Sequence, residues 1–418
     1  MEPRPTTCGP LPAVLQNRQF RLLWYVGTLA ETARWMELLV ISWLVLQATE
    51  SPFQLGLVLV FNNLPRPFLS LFTGWIADRA SRHLMLIVSQ TSNMFTAVAL
   101  LTLIILGAIE PWHVFVAAFI MGVSRSLEDP SRRTAILDAV GETRLVNATS
   151  LEVISNTAGK VVGPLVGGIV IDSMGFTGSY GILLGIHLCN LTLLVTRVRI
   201  PNVVQSSVSE PMWTGLGSTL KYALHSPTLV GLFYVTVVMN AMAFPVRQFI
   251  PVIGQDHLHV GATLVGLLVA SEGIGQLAGA GVMAMTRNFQ YLGRVLVFGS
   301  IGVLAMTLSF PWLPWYGLAL VALIMGGLGQ AGFSTMQSTI AMLSAPQEMR
   351  GRMMGLLSVF IGAGTPLGTL EMGAIAAVST QWAISANALA GLALLLPLVF
   401  LSPLVKRPVT RQEAVTSL

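Results

Sequence analysis

Long apolar segments follow one another along almost the whole chain, separated by short polar links. Twelve such segments lie near residues 21–47, 53–77, 84–107, 112–131, 146–171, 177–198, 227–254, 261–286, 292–310, 312–340, 353–378 and 381–404. Each is long enough, as a helix, to cross a hydrocarbon layer about 30 Å thick. Because backbone groups in lipid must be satisfied internally, the pattern predicts an all-α membrane protein with twelve transmembrane helices.

Composition and the placement of charge support a membrane setting. Only 10% of the 418 residues are charged and 54% are hydrophobic, whereas soluble domains carry about 25% charged residues. The basic residues, among them Arg79, Arg82, Arg132 and Arg133, lie in links on one side of the predicted spans. The positive-inside rule makes that side cytoplasmic. Both termini are therefore predicted to be cytoplasmic, and the expected partner surface is the lipid bilayer rather than nucleic acid.

The longest polar interruption, residues 200–226, divides the chain into two halves of six spans. The predicted organisation is a cytoplasmic tail (1–20), a six-helix bundle (21–199), a central cytoplasmic loop (200–226), a second bundle (227–404) and a tail (405–418). The halves carry related motifs, since Pro130-x-Arg132-Arg133 ends the fourth span and Pro346-x-Glu348-x-Arg350 follows the tenth. Two pseudo-symmetric bundles around a central cavity are a common transporter plan.

Two motifs carry a resemblance to a known family. The link after the second span reads Gly74-x-x-x-Asp78-Arg79-x-x-Arg82, and the fifth span contains Gly159-x-x-x-Gly163-Pro164-x-x-Gly167-Gly168. The first resembles the cytoplasmic loop signature of the major facilitator superfamily, and the second resembles its antiporter motif. With the opening Asn17-Arg18-x-Phe20-Arg21, they make the chain similar to the enterobactin-exporter and drug-efflux branch. This resemblance implies the two-bundle major facilitator fold, a bacterial inner-membrane location and export by alternating access.

The same motifs indicate two mechanical roles. Pro164 is predicted to bend the fifth span, while Gly159, Gly163, Gly167 and Gly168 let a neighbouring helix approach closely; helix packing alone is the alternative interpretation. Charged groups at the cytoplasmic ends of spans two and four are predicted to form a gate that closes this side of the protein. The gate residues are Gly74, Asp78, Arg79, Arg82, Arg125, Glu128 and Asp129.

Ionisable residues inside the spans are candidates for proton coupling, because a charge at the bilayer centre costs at least about 2.5–3.5 kcal/mol. Glu31, Arg34 and Glu37 follow each other at i, i+3 spacing in the first span, so they share one helix face. This triplet is either a self-neutralising structural cluster or a site that takes up and releases a proton. Glu272 is the lone ionisable residue of the eighth span. The proton-coupling candidates are therefore Glu31, Glu37 and Glu272.

A second set of residues is predicted to line the substrate cavity. Lys160 either contacts an anionic substrate or pairs with Glu31 or Glu37, and Arg66 either anchors substrate or pairs with Glu371. Spans three, six, nine and twelve have no charged residue in their interiors, as the resemblance implies for peripheral helices. The cavity candidates are Arg34, Arg66, Glu152, Lys160, Arg247, Gln330, Gln337 and Glu371.

The chain contains no sequence pattern for enzymatic chemistry. It has no Ser/His/Asp set, cofactor motif or phosphate-binding loop, and Asp256-His257-x-His259 is interpreted as a solvated turn rather than a metal site. We expect no cofactor and no metal. The leading hypothesis is a monomeric secondary transporter that exports a small amphipathic organic molecule by proton antiport. The alternatives are a lysolipid flippase, a nutrient importer or a transport-inactive, receptor-like paralogue.

Overall fold

The structure, a computed structural model, describes residues 14–65, 69, 81–141, 144–200, 212–285, 291–346 and 349–406. Helices make up nearly all of these ranges, and they contain no β-strand. Within them, eight helices are long and apolar enough to cross a membrane. The predicted all-α membrane class is confirmed, while the count of twelve spans stays a prediction.

The first part of the chain forms five helices. They are α1 (Arg18–Thr49), α2 (Pro52–Asn63), α3 (Arg82–Ile105), α4 (Pro111–Val140) and α5 (Leu145–Thr196). Helices α1 and α4 have 32 and 30 residues. At about 1.5 Å per residue, both are long enough to cross a bilayer. Their interiors also carry several charged side chains. Helix α4 also runs beyond residue 131, where the fourth span was predicted to end, and this extension carries Arg132 along the helix.

Helix α5 consists of two arms that meet at Gly175. This residue has φ 66° and ψ −168°, a conformation that glycine adopts without the steric penalty of a β-carbon. Gly163, before the break, packs against Met36 of α1, and His187, after it, lies 4.0 Å from the adjacent Glu37. Because both arms reach the same turn of α1, the chain folds back at Gly175. The arms correspond to the predicted fifth and sixth spans.

The second part of the chain forms nine further helices among the described residues. They are α6 (Met212–His225), α7 (Pro227–Val238), α8 (Ile250–Asp256), α9 (Ala262–Met285), α10 (Leu292–Ser309), α11 (Tyr316–Leu343), α12 (Arg350–Ala376), α13 (Thr380–Leu401) and α14 (Pro403–Lys406). Helix α6 lies in the stretch predicted to be a loop. Its Thr219, Tyr222 and Ala223, at i, i+3 and i+4, turn inward, and Tyr222 and Ala223 pack in the hydrophobic core, which explains why this segment is helical.

The predicted seventh span is not a regular α-helix. Between α7 and α8 the backbone forms a π-helical turn, Met239–Ala243, and a 3-10 turn, Phe244–Phe249. Pro245 lacks the backbone N–H that an α-helix needs and crowds the preceding turn, so it accounts for the irregular geometry. Such π-turns within helices occur often at functional sites, and Arg247 lies in this stretch.

The chain divides into two compact units. The first comprises Met1–Thr49 and Phe61–Ser206, and the second comprises Glu50–Val60 and Ser207–Leu418. The segment Glu50–Val60 belongs to the second unit because Gly56 lies against Gly373 of α12. Each unit has its own buried apolar core. The domain boundaries drawn from the sequence stay predictions.

Candidate functional site

Three glycines of α5 bring this helix unusually close to α1. A β-carbon built at Gly159 would lie 2.9 Å from the backbone carbon of Glu31, and one at Gly163 would lie 2.7 Å from the backbone nitrogen of Met36. Gly167 faces Met36 one turn further on. Real side-chain carbons do not approach backbone atoms so closely, so the four-residue spacing of these glycines is what permits the helix crossing. The crossing sets the position of Glu31.

Arg132 of α4 connects three carboxylates, of which those of Glu31 and Glu128 are buried and that of Glu152 is partly exposed. Its guanidinium lies 2.9 Å from Glu31 Oε1, 3.4 Å from Glu152 Oε1 and 3.8 Å from Glu128 Oε1. The side chain is 11% exposed, and its Nη1 donates to the carbonyl of Gly27 at 3.3 Å. Taking ions out of water is costly, and mutual pairing offsets that cost. Arg132 is therefore the hub of an ionic network that joins α1, α4 and α5.

Glu31 is fully engaged in this network. Besides Arg132, it accepts a hydrogen bond at Oε2 from the amide of Asn156 at 2.9 Å, and Oε2 also pairs with Arg34. The Arg34 guanidinium lies 5.2 Å from the centre of the Trp35 ring, in cation–π range. Two guanidinium groups and an amide hold Glu31, so the ionised carboxylate is well satisfied.

A chain of polar contacts leads from Glu128 to Glu37. Ser89 and Gln90 of α3 donate to Glu128 Oε2 at 3.2 and 3.1 Å. Gln90 Oε1 lies 3.3 Å from Nδ1 of His187, and Nε2 of His187 lies 4.0 Å from Glu37 Oε2. All of these side chains are buried. The network therefore reaches from Arg132 across the first unit to a carboxyl on the same helix as Glu31.

These groups line a pocket within the first unit with about 520 Å³ of empty space, which includes space open to solvent. The pocket is lined by both carboxyls of the α1 triplet. It is also lined by Arg125 and Asp129 of α4, whose charged groups lie 3.6 Å apart. The lining is Ala30, Glu31, Arg34, Glu37, Asn62, Gln90, Asn93, Met121, Arg125, Glu128, Asp129 and His187. A pocket with this many polar groups suits a small molecule that combines polar and apolar parts.

Two ionisable residues of this site, Arg132 and His187, were not among the sequence-predicted site residues. Arg132 was assigned to a cytoplasmic link, but α4 continues past it and its guanidinium is buried among carboxylates. The signal was its i, i+4 spacing from Glu128 on a continuing helix. His187 was overlooked because only charged residues were counted, and its span was expected to be peripheral. Its position opposite Glu37 could not be inferred without the fold.

The other predicted residues of the first unit have the following contacts among the described residues. Glu128 and Asp129, predicted gate residues, pair with Arg132 and Arg125, and Arg82 pairs with Asp138. The buried Lys160 has its Nζ 5.9 Å from the centre of the Trp35 ring. Pro164 and Gly168 are buried within α5, and the non-helical residue recorded inside that helix is Gly175 rather than Pro164. The predicted residues Arg66, Gly74, Asp78 and Arg79 lie outside the described residues.

The second unit contains a smaller and more apolar pocket of about 410 Å³ of empty space. Arg247, from the 3-10 turn, pairs with Glu272 of α9 at 2.5 Å and lies 4.9 Å from the centre of the Phe244 ring. The cation for Glu272 thus comes from another element, although its own span has none. The rest of the lining is Ala243, Val246, Ile250, Val303, Met306, Thr307, Phe310, Ala322, Leu323 and Gly326.

The remaining candidates of the second unit differ in their surroundings. Gln337 is buried and donates to Thr236 Oγ1 at 2.8 Å, so it ties α11 to α7. Gln330 is also buried, and its Oε1 has no hydrogen-bond partner among the described residues. Glu371 is exposed on α12. Gln337 therefore has a structural partner, whereas no described residue pairs with Oε1 of Gln330.

Comparisons with known proteins agree with this architecture. A family model described as transmembrane secretion effector matches residues 9–417. The multidrug efflux pump Tap of Mycolicibacterium fortuitum is 25% identical over 369 residues, which cover 85% of this chain and 88% of Tap. The enterobactin exporter EntS of Salmonella typhi is 25% identical over 337 residues, 79% of each chain.

Solved structures show the same fold at low sequence identity. The nucleoside transporter NupG superimposes with a TM-score of 0.75 at 13% identity, over 91% of this chain and 98% of NupG. A bacterial homologue of the human lysosomal transporter Spinster, inward-facing and unoccupied, gives a TM-score of 0.69 at 13% identity, over 96% and 97% of the two chains. These likenesses concern the fold alone.

The family match spans nearly the whole chain, and the apolar helices make the protein an integral membrane protein. The relatives and the structural neighbours are transporters rather than enzymes. The chain belongs to the transmembrane secretion effector family of the major facilitator superfamily.

Proposed function

We propose that this protein is a proton-driven exporter of small amphipathic organic molecules, of the drug or siderophore class. The observation that carries the proposal is the buried ionic network of Glu31, Arg132, Glu128 and Glu152, which borders a pocket in the first unit. Relatives with related sequences export several drugs or enterobactin, as their names state. The protein acts as a monomer with both termini in the cytoplasm.

The balance of charge in the pocket supports coupling to protons. The lining residues include four carboxylates, Glu31, Glu37, Glu128 and Asp129, and two arginines, Arg34 and Arg125. With more acids than bases, the site changes its net charge when one carboxyl gains or loses a proton. A proton and a substrate that prefer different conformations then drive alternating access, because each shifts the equilibrium towards the state that it binds better.

The three proton-coupling candidates differ in the cations around them. Glu31 is held by two guanidinium groups, and Glu272 by Arg247. Glu37 lies beside His187 and is not paired with Lys or Arg in the described part of the chain. Of the three, Glu37 has the surroundings that most favour an exchangeable proton, since a buried carboxylate without a cation is costly.

The gate residues extend the proposal to the cytoplasmic side. Asp78 and Arg79 latch that side shut in the outward-open state and release it when the cavity opens inward. The pair Arg82–Asp138, which joins the start of α3 to the last turns of α4, supports this proposal. Substitution Asp78→Asn then increases cysteine labelling of the cavity from the cytoplasm, and an unchanged labelling pattern would reject the latch.

The experiment uses everted membrane vesicles that carry the full-length protein. Ethidium and a catecholate siderophore serve as amphipathic probes, and a pH gradient supplies the driving force. We expect transport that stops when an uncoupler collapses the gradient and that Glu37→Gln reduces at least tenfold. Glu50→Gln, which changes an exposed glutamate in a link, is the matched control.

Two results would overturn the proposal. The first is proton flux that shows no component linked to either probe. The second is probe transport that neither the uncoupler nor Glu31→Gln, Glu37→Gln and Glu272→Gln affect. Accumulation of probe by intact cells would instead indicate import, and transbilayer movement of a lysolipid would indicate a flippase.

A further inference from the structure

The polar chain of the first unit ends in two buried groups, Glu37 of α1 and His187 of the second arm of α5. Both side chains are 3% exposed, and Glu37 Oε2 lies 4.0 Å from His187 Nε2. Neither Glu37 Oε1 nor His187 Nε2 has a hydrogen-bond partner among the described residues. The imidazole and the carboxyl therefore face each other at the wall of the 520 Å³ pocket.

The hydrogen-bond directions fix the state of the imidazole. The amide nitrogen of Gln90 donates to Glu128 Oε2 at 3.1 Å, because a carboxylate can only accept. The oxygen of the same amide then points to His187, so Nδ1 must donate to it across 3.3 Å. A neutral imidazole carries one N–H. Its other nitrogen, Nε2, is left with a lone pair directed at Glu37.

With Glu37 ionised, a lone pair would face a carboxylate in a buried space, which is unfavourable. One added proton removes the conflict, either as a Glu37 O–H that donates to Nε2 or as an imidazolium beside the carboxylate. We propose that Glu37 and His187 form a single proton-binding site that holds one exchangeable proton between them. This inference rests on the proposed proton coupling and assigns it to a pair that includes a residue of the sixth span. At 4.0 Å a small side-chain rotation is needed before the proton is shared directly.

The groups around the pair make it distinct from the ionic network. Within the described residues, α1 contributes Glu31 and Arg34 to the pocket, and α4 contributes Arg125, Glu128 and Asp129. Helix α3 contributes only amides, Gln90 and Asn93, and the two arms of α5 add Lys160 and Tyr180 nearby, both buried. The charged groups of α1 and α4 are paired with one another, so the unpaired acidic function at this end is Glu37.

Loss of the proton would be transmitted to Arg132. If His187 moved its hydrogen to Nε2 to meet an ionised Glu37, Nδ1 would become an acceptor, and the Gln90 amide would have to turn over. Its oxygen would then face Glu128, which accepts from the amide nitrogen in the present arrangement. Glu128 is one of the three carboxylates on Arg132. Deprotonation of the pair therefore strains the network that holds α1, α4 and α5 together.

Nitrogen-15 NMR of histidine tests this inference without any transport substrate. The chain has six histidines, so His187 is assigned by the signal lost in His187→Gln, and the exposed His225 serves as the reference. In purified full-length protein at neutral pH, we expect the neutral His187 ring to carry its hydrogen on Nδ1 and to accept a hydrogen bond at Nε2. Raising the pH should change the His187 signals in one step.

Two variants distinguish a proton-binding pair from a histidine that has only a structural role. In Glu37→Gln the amide donates permanently to Nε2, so the alkaline step should vanish while the tautomer is kept. In Gln90→Leu the acceptor for Nδ1 is lost, so the ring should shift towards the Nε2–H form. An Nε2–H ring in the unmodified protein, or an alkaline step that survives in Glu37→Gln, would overturn the inference. Because these readouts need no substrate, they test the proton-binding pair even if the vesicle experiment shows no proton-driven export.

Discussion

Substitution of one glycine should separate α1 from α5 and thereby disrupt the candidate site. In Gly163→Ala the new methyl group would lie 2.7 Å from the Met36 backbone nitrogen and 2.7 Å from the Thr32 carbonyl oxygen. Both contacts are with backbone atoms, so no side chain can rotate away to relieve them. The helices must move apart by several tenths of an ångström at the level of Glu31.

The expected cost follows from two opposing effects. Forcing an extra carbon into a packed interior costs about 1–3 kcal/mol, and alanine in a helix is favoured over glycine by about 0.5–1 kcal/mol. Gly163→Ala should therefore lower the free energy of unfolding by about 1–2 kcal/mol. Reversible unfolding in mixed micelles of SDS and a mild detergent, followed by tryptophan fluorescence, measures this difference. Probe efflux should fall as well, because Asn156 and Glu31 are joined across this crossing.

The same helix offers a matched control. A β-carbon at Gly185 meets no atom within 4 Å. Gly185→Ala should therefore benefit only from the higher helix propensity of alanine and raise the free energy of unfolding by about 0.5–1 kcal/mol. The two variants make the same chemical change in one helix. If Gly163→Ala proves as stable and as active as Gly185→Ala, the close crossing of α1 and α5 does not position the site.

Three further changes test the ionic and polar contacts by unfolding and by efflux. Arg132→Ala leaves three carboxylates, two of them buried, without their shared cation, so it should cost about 3–5 kcal/mol and abolish efflux; a loss below about 1 kcal/mol would contradict its role as hub. Arg247→Leu should cost about 3 kcal/mol, most of which the double variant with Glu272→Leu recovers, and additive losses would argue against a close pair. Thr236→Val and Gln337→Leu should show a coupling of about 1 kcal/mol in a double-mutant cycle, and no coupling would mean that their hydrogen bond does not stabilise the protein.

Much of the architecture could be predicted from periodic apolar segments and local motifs. The bilayer requires long helices, so the helical class follows from segment length alone. The spacing of Glu31 and Arg34 places them on one helix face, and the structure pairs them. The four-residue spacing of Gly159, Gly163 and Gly167 indicates close packing, and the structure shows α1 as the partner.

The partners of buried polar groups could not be predicted in the same way. The positive-inside rule places arginines in links by statistics, and it assigned Arg132 to the surface although α4 continues past that residue. Arg34 has glutamates three residues before and after it, and spacing alone does not decide which one it holds. Glu37 meets His187 only because α5 folds back at Gly175, and that contact depends on tertiary structure.

The irregular seventh span shows a similar limit. Pro245 signals a break in the helix, but not whether the backbone will widen into a π-turn or tighten into a 3-10 turn. Both occur here, and together they direct Arg247 to Glu272 on α9. Glu272 is the lone ionisable residue of α9, as its sequence indicates. Its cationic partner, Arg247, belongs to the irregular stretch between α7 and α8.

The contact between Gly27 and Arg132 has a consequence for sequence divergence in the family. A β-carbon at position 27 would lie 2.9 Å from Nη1 of Arg132, which three carboxylates hold in place. A side chain at position 27 would therefore displace the guanidinium of Arg132 from this arrangement. We expect homologues with a larger residue at position 27 to have a compensating change at position 132. The two sites, far apart in the chain, should evolve as one unit.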